Sequence, residues 1–254
     1  MAREQEASAG LLLVPEFREA STVMAVSGLL SLASSPALRD GVLKVATDAP
    51  QCVIADIRDL TIEHDWLLSV FSVLAARLWD WPGISFAVVT DRAEHLSGLR
   101  AKSIDLFVAV HPDVVTAERA RDQAPRKRAV REFVPSAATS MLARRFVEEI
   151  CARWSLPEFT EDATTIAVEL VENTVQHTHS PPKLRLEFRR GMFTVAVSDD
   201  DPRPAVLRER IGFADPGLGL RIVAHIARRW GCSRAWAGGK VVWAVLASPA
   251  RAIR

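Results

Sequence analysis

Two rhythms of apolar and polar residues run along the chain, and they divide it into halves of different architecture. In the first half, Thr22 to Val26 reads as a strand, and Ser35-Pro36 opens a helical stretch over Ala37 to Thr47. Cys52 to Ile57 (CVIADI) is short, continuous and β-branched, as expected of a strand buried on both faces. Trp66 to Trp79 reads as a buried helix, Ile84 to Val89 as a strand, Ala93 to Ser103 as a helix and Phe107 to Val110 as a last short strand. Strands alternating with helices predict an α/β layer domain. The second half opens with an amphipathic helix over Ala137 to Trp154, striped by Leu142, Phe146, Val147 and Ile150. A second helix over Glu161 to His177 carries Ile166, Leu170, Val171 and Val175 on one face. Alternating strands follow at Leu184 to Arg189 and Phe193 to Ser198, then a helix over Leu218 to Arg229 and a strand over Val241 to Ala247. That order predicts a sheet with helices on one side, an α+β sandwich. Between the halves, Glu118 to Glu132 (ERARDQAPRKRAVRE) is dominated by charge around Pro125 and reads as a solvated linker, or a polar helix leading into one. The expected division is 1–117, a linker at 118–132, and 133–254. No internal repeat links the halves.

Composition narrows the functional classes. Of 254 residues, 49% are hydrophobic and 25% charged, which gives enough apolar material for packed cores and excludes disorder as the main state. Thirty-two basic residues against 31 acidic ones leave a formal charge of +1, so no clustered basic surface for direct nucleic-acid binding is expected. The three cysteines, Cys52, Cys151 and Cys232, stand far apart, against a disulfide framework or a cysteine zinc site. The apolar run Leu11 to Val14 is too short for a signal peptide, and Trp66 to Trp79 is interrupted by Arg77 and too short for a membrane span. A cytoplasmic protein with no membrane partner is expected.

Candidate chemistry lies in three clusters of the second half. Glu169 and Asn173, in the run Glu169-Leu170-Val171-Glu172-Asn173, are four apart and project from one helix face. A carboxylate and a carboxamide one turn apart suit a metal-bound phosphate chain, the carboxylate polarising a hydroxyl or water and the amide oxygen holding Mg²⁺; taken alone, a surface hydrogen-bonding pair explains the same residues. Asp199-Asp200-Asp201-Pro202-Arg203-Pro204 ends a strand, where an acid can accept a hydrogen bond from an exocyclic amine; a polar turn explains the same residues. Gly217-Leu218-Gly219-Leu220 opens a helix, where glycines let backbone N–H groups approach phosphate, although a lone Gly-x-Gly is usually just a turn.

With Ala143 to Ile150 (ARRFVEEI) before them and Gly238-Gly239-Lys240-Val241-Val242-Trp243 after them, these clusters stand in one order. In that order the second half, from Phe133 to Leu246, resembles the GHKL (histidine-kinase-like) ATP-binding domain, and within it the bacterial anti-sigma-factor serine kinases. The resemblance implies ATP and Mg²⁺ as cofactors, Glu169 as general base and Asn173 as the Mg²⁺ ligand. It implies His177 near the nucleotide, Asp199 on the adenine amino group, and Gly217 and Gly219, with Leu220, at the hinge of an ATP lid over Arg203 to Pro216. Lys240 falls among the nucleotide-binding positions. Two departures are visible: Asp199-Asp200-Asp201-Pro202-Arg203 lacks both glycines of the commoner Asp-x-Gly-x-Gly, and Val241 stands where many members carry Thr.

The first half resembles the STAS domain of anti-sigma-factor antagonists in Ser27-Gly28, the strand Cys52 to Ile57 and the helix from Trp66. That family carries a phosphorylatable serine at a switch; here the segment is Glu63-His64-Asp65-Trp66, with Asp65 at the phosphoserine position. A fixed carboxylate imitates part of a phosphate's charge, and loss of the switch, leaving a docking domain, is the other reading. Ser69 and Ser72 read as helix residues, with a displaced phosphosite as the alternative. His64-Asp65 is a weak match to a histidine-kinase phosphoacceptor, and His177-Thr178-His179 lacks a third metal ligand. The seven tryptophans read as core or interface anchors.

The expectation is therefore a partner-switching regulator, either an ATP-dependent protein serine kinase or a non-catalytic, nucleotide-gated interaction module. Its expected partners are a sigma factor or a STAS-domain antagonist, and a homodimer is compatible with the family.

Overall fold

A computed structural model describes residues 10–19, 21–121, 125–178, 180–201, 203 and 218–247. The chain forms two compact units, Met1–Gln123 and Ala124–Arg254.

The first unit is built on a mixed sheet. Strands β1 (Leu12–Phe17), β2 (Ser21–Leu30), β3 (Cys52–Asp56), β5 (Ser85–Val89) and β6 (Ala109–His111) lie in the order β1-β2-β3-β5-β6, and β4 (Leu60–Ile62) pairs with the end of β2. Only β1 runs antiparallel to its neighbour. The CVIADI run behaves as its composition dictates. Val53 and Ala55 enter a core with α1 (Ser35–Ala46) and α2 (Ser69–Asp80), while Cys52 and Ile54 point to the other face, where α4 (Val114–Ala120) covers them with Ala117 and Val114. A strand covered on both faces has no polar side to show, hence the apolar run from Cys52 to Ala55, while Asp56 at its end pairs with Arg58. The predicted Trp66–Trp79 helix begins as a 3-10 turn, Asp65–Leu68, before α2; α3 (Ala93–Ala101) follows β5.

In the second unit, α5 (Thr139–Trp154) and α6 (Thr160–His177) pack on each other and on an antiparallel sheet of order β10-β11-β9-β8-β7. Its strands are β7 (Lys127–Glu132), β8 (Lys183–Arg189), β9 (Met192–Asp199), β10 (Arg229–Arg234) and β11 (Lys240–Ala247), and α7 (Leu218–Ile226) packs against α6. Alternate strand residues Leu184, Leu186, Val195, Val197, Val242 and Ala244 meet Phe146, Val147, Ile150, Ile166, Leu170 and Val171 of the helices.

Two sequence expectations are corrected. In the segment 118–132, Glu118 to Ala120 finish α4, in keeping with a polar helix leading in, but Lys127–Glu132 form β7, paired residue by residue with β8, where a linker was expected. The charge misled because an edge strand satisfies its backbone in the sheet while its basic side chains find separate partners. Lys127 Nζ donates to the Trp154 carbonyl, and Arg126 and Arg128 approach Glu187 at 2.6 and 3.5 Å. The helix predicted over Leu218 to Arg229 stops at Ile226, and Arg229–Arg234 pair with β11. Strands β1 and β4 and helix α4 are further elements that local periodicity did not show.

Candidate functional site

The polar residues singled out in the second unit come together in pairs at the ends of packed elements. Asp199 is the last residue of β9 and lies directly opposite Lys240, the first residue of β11. Each is 5% exposed. Lys240 Nζ donates to Asp199 Oδ1 at 2.8 Å and to the Asp201 carbonyl at 3.1 Å, and the Asp201 amide donates to the same Oδ1 at 2.9 Å. Asp199 Oδ2 is buried and has no hydrogen-bond partner among the described residues. A buried carboxylate oxygen without a donor is costly, so this oxygen is open to one further hydrogen bond.

The turn before β11 is fitted to this acid. Gly239 sits at φ +73°, and a Cβ there would collide with the Asp199 carbonyl. Only glycine takes that left-handed backbone at this distance from β9 without strain.

A second close approach joins α6 to α7. A Cβ at Gly219 would meet the carboxylate of Glu169, so the start of α7 lies close to this acid, and a side chain there would make the carboxylate swing aside. Leu220 beside it is buried in the core. Burial, and then the charge of Glu172, push the Glu169 carboxyl above the ordinary carboxylate range. Asn173 lies one turn further along α6, half-buried, and His177 ends the helix, exposed.

The end of α6 is tied to the end of β9. Ser180 Oγ accepts from the Asp200 amide at 3.1 Å, and Arg203 donates to the His177 carbonyl at 3.5 Å while bonding the Asp201 carboxylate. That side-chain hydrogen bond from Arg203 holds the Asp201 carboxyl well below its ordinary range. The clamp was not foreseen, although Asp-x-Arg spacing at a strand end is a legible signal for it. Gly217, His179 and the lid residues after Arg203 lie outside the described residues. Among the described residues, no group of three or more His, Cys, Asp or Glu side chains gathers as a metal site.

In the first unit, Glu63 donates its amide to the Leu30 carbonyl, and His64 is extended, its ring stacked 6.3 Å from that of Trp66. Asp65 begins the 3-10 turn, exposed, with its carboxylate over Gly98 of α3. Nearby, a cavity of about 920 Å³ is lined by Trp66, Trp79, Phe86, Ile104 and Phe107, with Ser72 and Lys102 among its polar members. Trp66, Trp79 and Phe107 remain 49%, 58% and 73% exposed.

No protein-family profile matches the chain, and no curated protein matches it. Solved structures with the STAS (anti-sigma factor antagonist) fold match about 44% of it, the N-terminal part. An anti-sigma factor antagonist from Mycobacterium paratuberculosis is 20% identical with a TM-score of 0.40, covering 44% of this chain and 97% of its own. The protein TM1081 is 13% identical with a TM-score of 0.38, covering 42% and 85%. The anti-sigma factor antagonist SpoIIAA in its unphosphorylated form is 10% identical with a TM-score of 0.36, covering 42% and 95%. Among the described residues, no helix is long and apolar enough to cross a membrane.

Proposed function

We propose that the second unit binds ATP with Mg²⁺ in the manner of anti-sigma-factor serine kinases, and that the first unit is a STAS-like docking domain of the same partner-switching regulator. The observation that carries this reading is the buried, donor-less Oδ2 of Asp199, an acceptor suited to one exocyclic amine. The same unit carries other groups that a nucleotide needs. Gly219 opens α7 against Glu169, and Asn173, one turn from Glu169, offers an amide oxygen of the kind Mg²⁺ accepts beside phosphate oxygens. Bound Mg²⁺ would neutralise charge on the phosphates. Glu169, its carboxylate made more basic by burial, is suited to take the proton of an attacking serine hydroxyl as that oxygen forms its bond to the γ-phosphorus and ADP leaves. The partners fitted to this reading are a sigma factor and a STAS-domain antagonist, met by the exposed aromatic rim of the first unit.

A second reading has its own observation. Asp65, not a hydroxyl residue, occupies the exposed turn ahead of α2, and Val241 offers no hydroxyl beside Lys240. A nucleotide-gated interaction module that transfers no phosphate satisfies both.

Thermal unfolding with and without Mg²⁺-ATP tests nucleotide binding. At about 100 times its Kd the ligand stabilises by roughly 2.7 kcal/mol, a shift of several degrees that Asn173→Ala should lose. An unchanged transition at millimolar ATP would refute both readings.

A further inference from the structure

The Lys240–Asp199 pair is not closed on itself. A lysine ammonium carries three N–H donors. Two are engaged, by Asp199 Oδ1 at 2.8 Å and by the Asp201 carbonyl at 3.1 Å; the third has no partner among the described residues. The carboxylate is half-used in the same way: Oδ1 accepts from Lys240 and from the Asp201 amide, while Oδ2 accepts from nothing. Both side chains are almost wholly buried, at 6% and 1% exposure, where an unpaired polar group is costly. What remains is one acceptor beside one donor, fixed by the cross-strand register and by Gly239 beneath it.

We propose that Asp199 Oδ2 and the third N–H of Lys240 read the edge of adenine as a pair, Oδ2 accepting from the 6-amino group and Lys240 donating to the ring nitrogen N1. Lys240 is then a specificity-determining residue and not merely the counter-ion of Asp199. This deepens the nucleotide-binding reading and rests on it. The chemistry discriminates sharply. Adenine presents a donor at position 6 next to an acceptor at N1, the complement of the carboxylate–ammonium pair. Hypoxanthine presents a carbonyl and an N–H in those places, setting oxygen against carboxylate and hydrogen against ammonium. A site with buried polar groups rejects a ligand that leaves them unpaired more strongly than an apolar site rejects a misfit.

Calorimetric titration of the full chain with ATP, with 1-deaza-ATP (C–H in place of N1) and with ITP tests the pair. The native protein should bind 1-deaza-ATP about ten- to hundredfold more weakly than ATP, the loss expected for a hydrogen bond to a charged donor, and ITP more weakly still. In Lys240→Met the difference between ATP and 1-deaza-ATP should vanish, although both bind less well. The native comparison needs no variant and so survives if Lys240→Met fails to fold. Equal affinity of the native protein for ATP and 1-deaza-ATP, with ITP much weaker, would overturn the role of Lys240 and leave the nucleotide site standing. So would a Lys240→Met protein that loses the same factor for both nucleotides. No binding of any of the three would overturn the site itself.

Discussion

Glu169 is held in an environment that works against its own charge. It is partly buried on α6, Glu172 adds a like charge, and the backbone of Gly219 closes on its carboxylate. A carboxyl whose folded pKa is raised binds protons more readily in the native state, so the ionised form costs stability above that pKa, and the cost vanishes as pH falls below the unfolded value. Glu169→Gln removes the cost. Its Tm at pH 7 should therefore equal or exceed that of the native chain, the difference shrinking toward pH 4. If the unit is a kinase, the same substitution abolishes transfer to a partner serine while Mg²⁺-ATP still raises Tm, and native transfer declines as pH falls through the raised pKa. A Glu169→Gln protein that phosphorylates at the native rate would exclude this residue as the base; one less stable at pH 7 would contradict the electrostatic account.

At the scale of elements, β7 shows how a highly charged segment is held in a sheet. Glu187 on β8 is buried, and Arg126, Arg185 and Arg128 surround it at 2.6, 3.3 and 3.5 Å. A single carboxylate thus fixes three cations on adjoining strands and on the residue leading into β7. Removing one member of a buried ionic cluster leaves uncompensated charge, at a cost of about 3–5 kcal/mol. Glu187→Ala should lower the urea midpoint of the second unit by a corresponding amount and loosen the β7 edge. Hydrogen exchange should then rise first at the amides of 127–132. An unaltered midpoint would mean that the arginines are held by their other contacts.

For the whole molecule, two separate cores predict two unfolding events. The first gathers around Met24, Leu38, Phe71 and Leu74, the second around Phe146, Ile166, Leu170 and Phe193. Scanning calorimetry of the full chain should resolve two transitions, and Mg²⁺-ATP should raise only the one belonging to residues 124–254. A single transition moved as a block by nucleotide would show the units to be coupled thermodynamically.

Much of this was written in local pattern. The both-face apolar run 52–55, the stripes of α5 and α6 and the alternation of β8 and β9 are each set by near neighbours, so periodicity alone determined them. Glu169 and Asn173 on one helix face follow from the same geometry. What the sequence by itself could not determine depends on partners far away in the chain. Lys127–Glu132 is a strand because β8 lies beside it, and Arg229–Arg234 because β11 does. The pairing of Lys240 with Asp199 across 41 residues, and of Gly219 with Glu169, exists only once the sheet has set its register and α7 has packed on α6. Side-chain periodicity is a property of single elements; juxtaposition is a property of the folded chain, and the candidate site is made of juxtapositions.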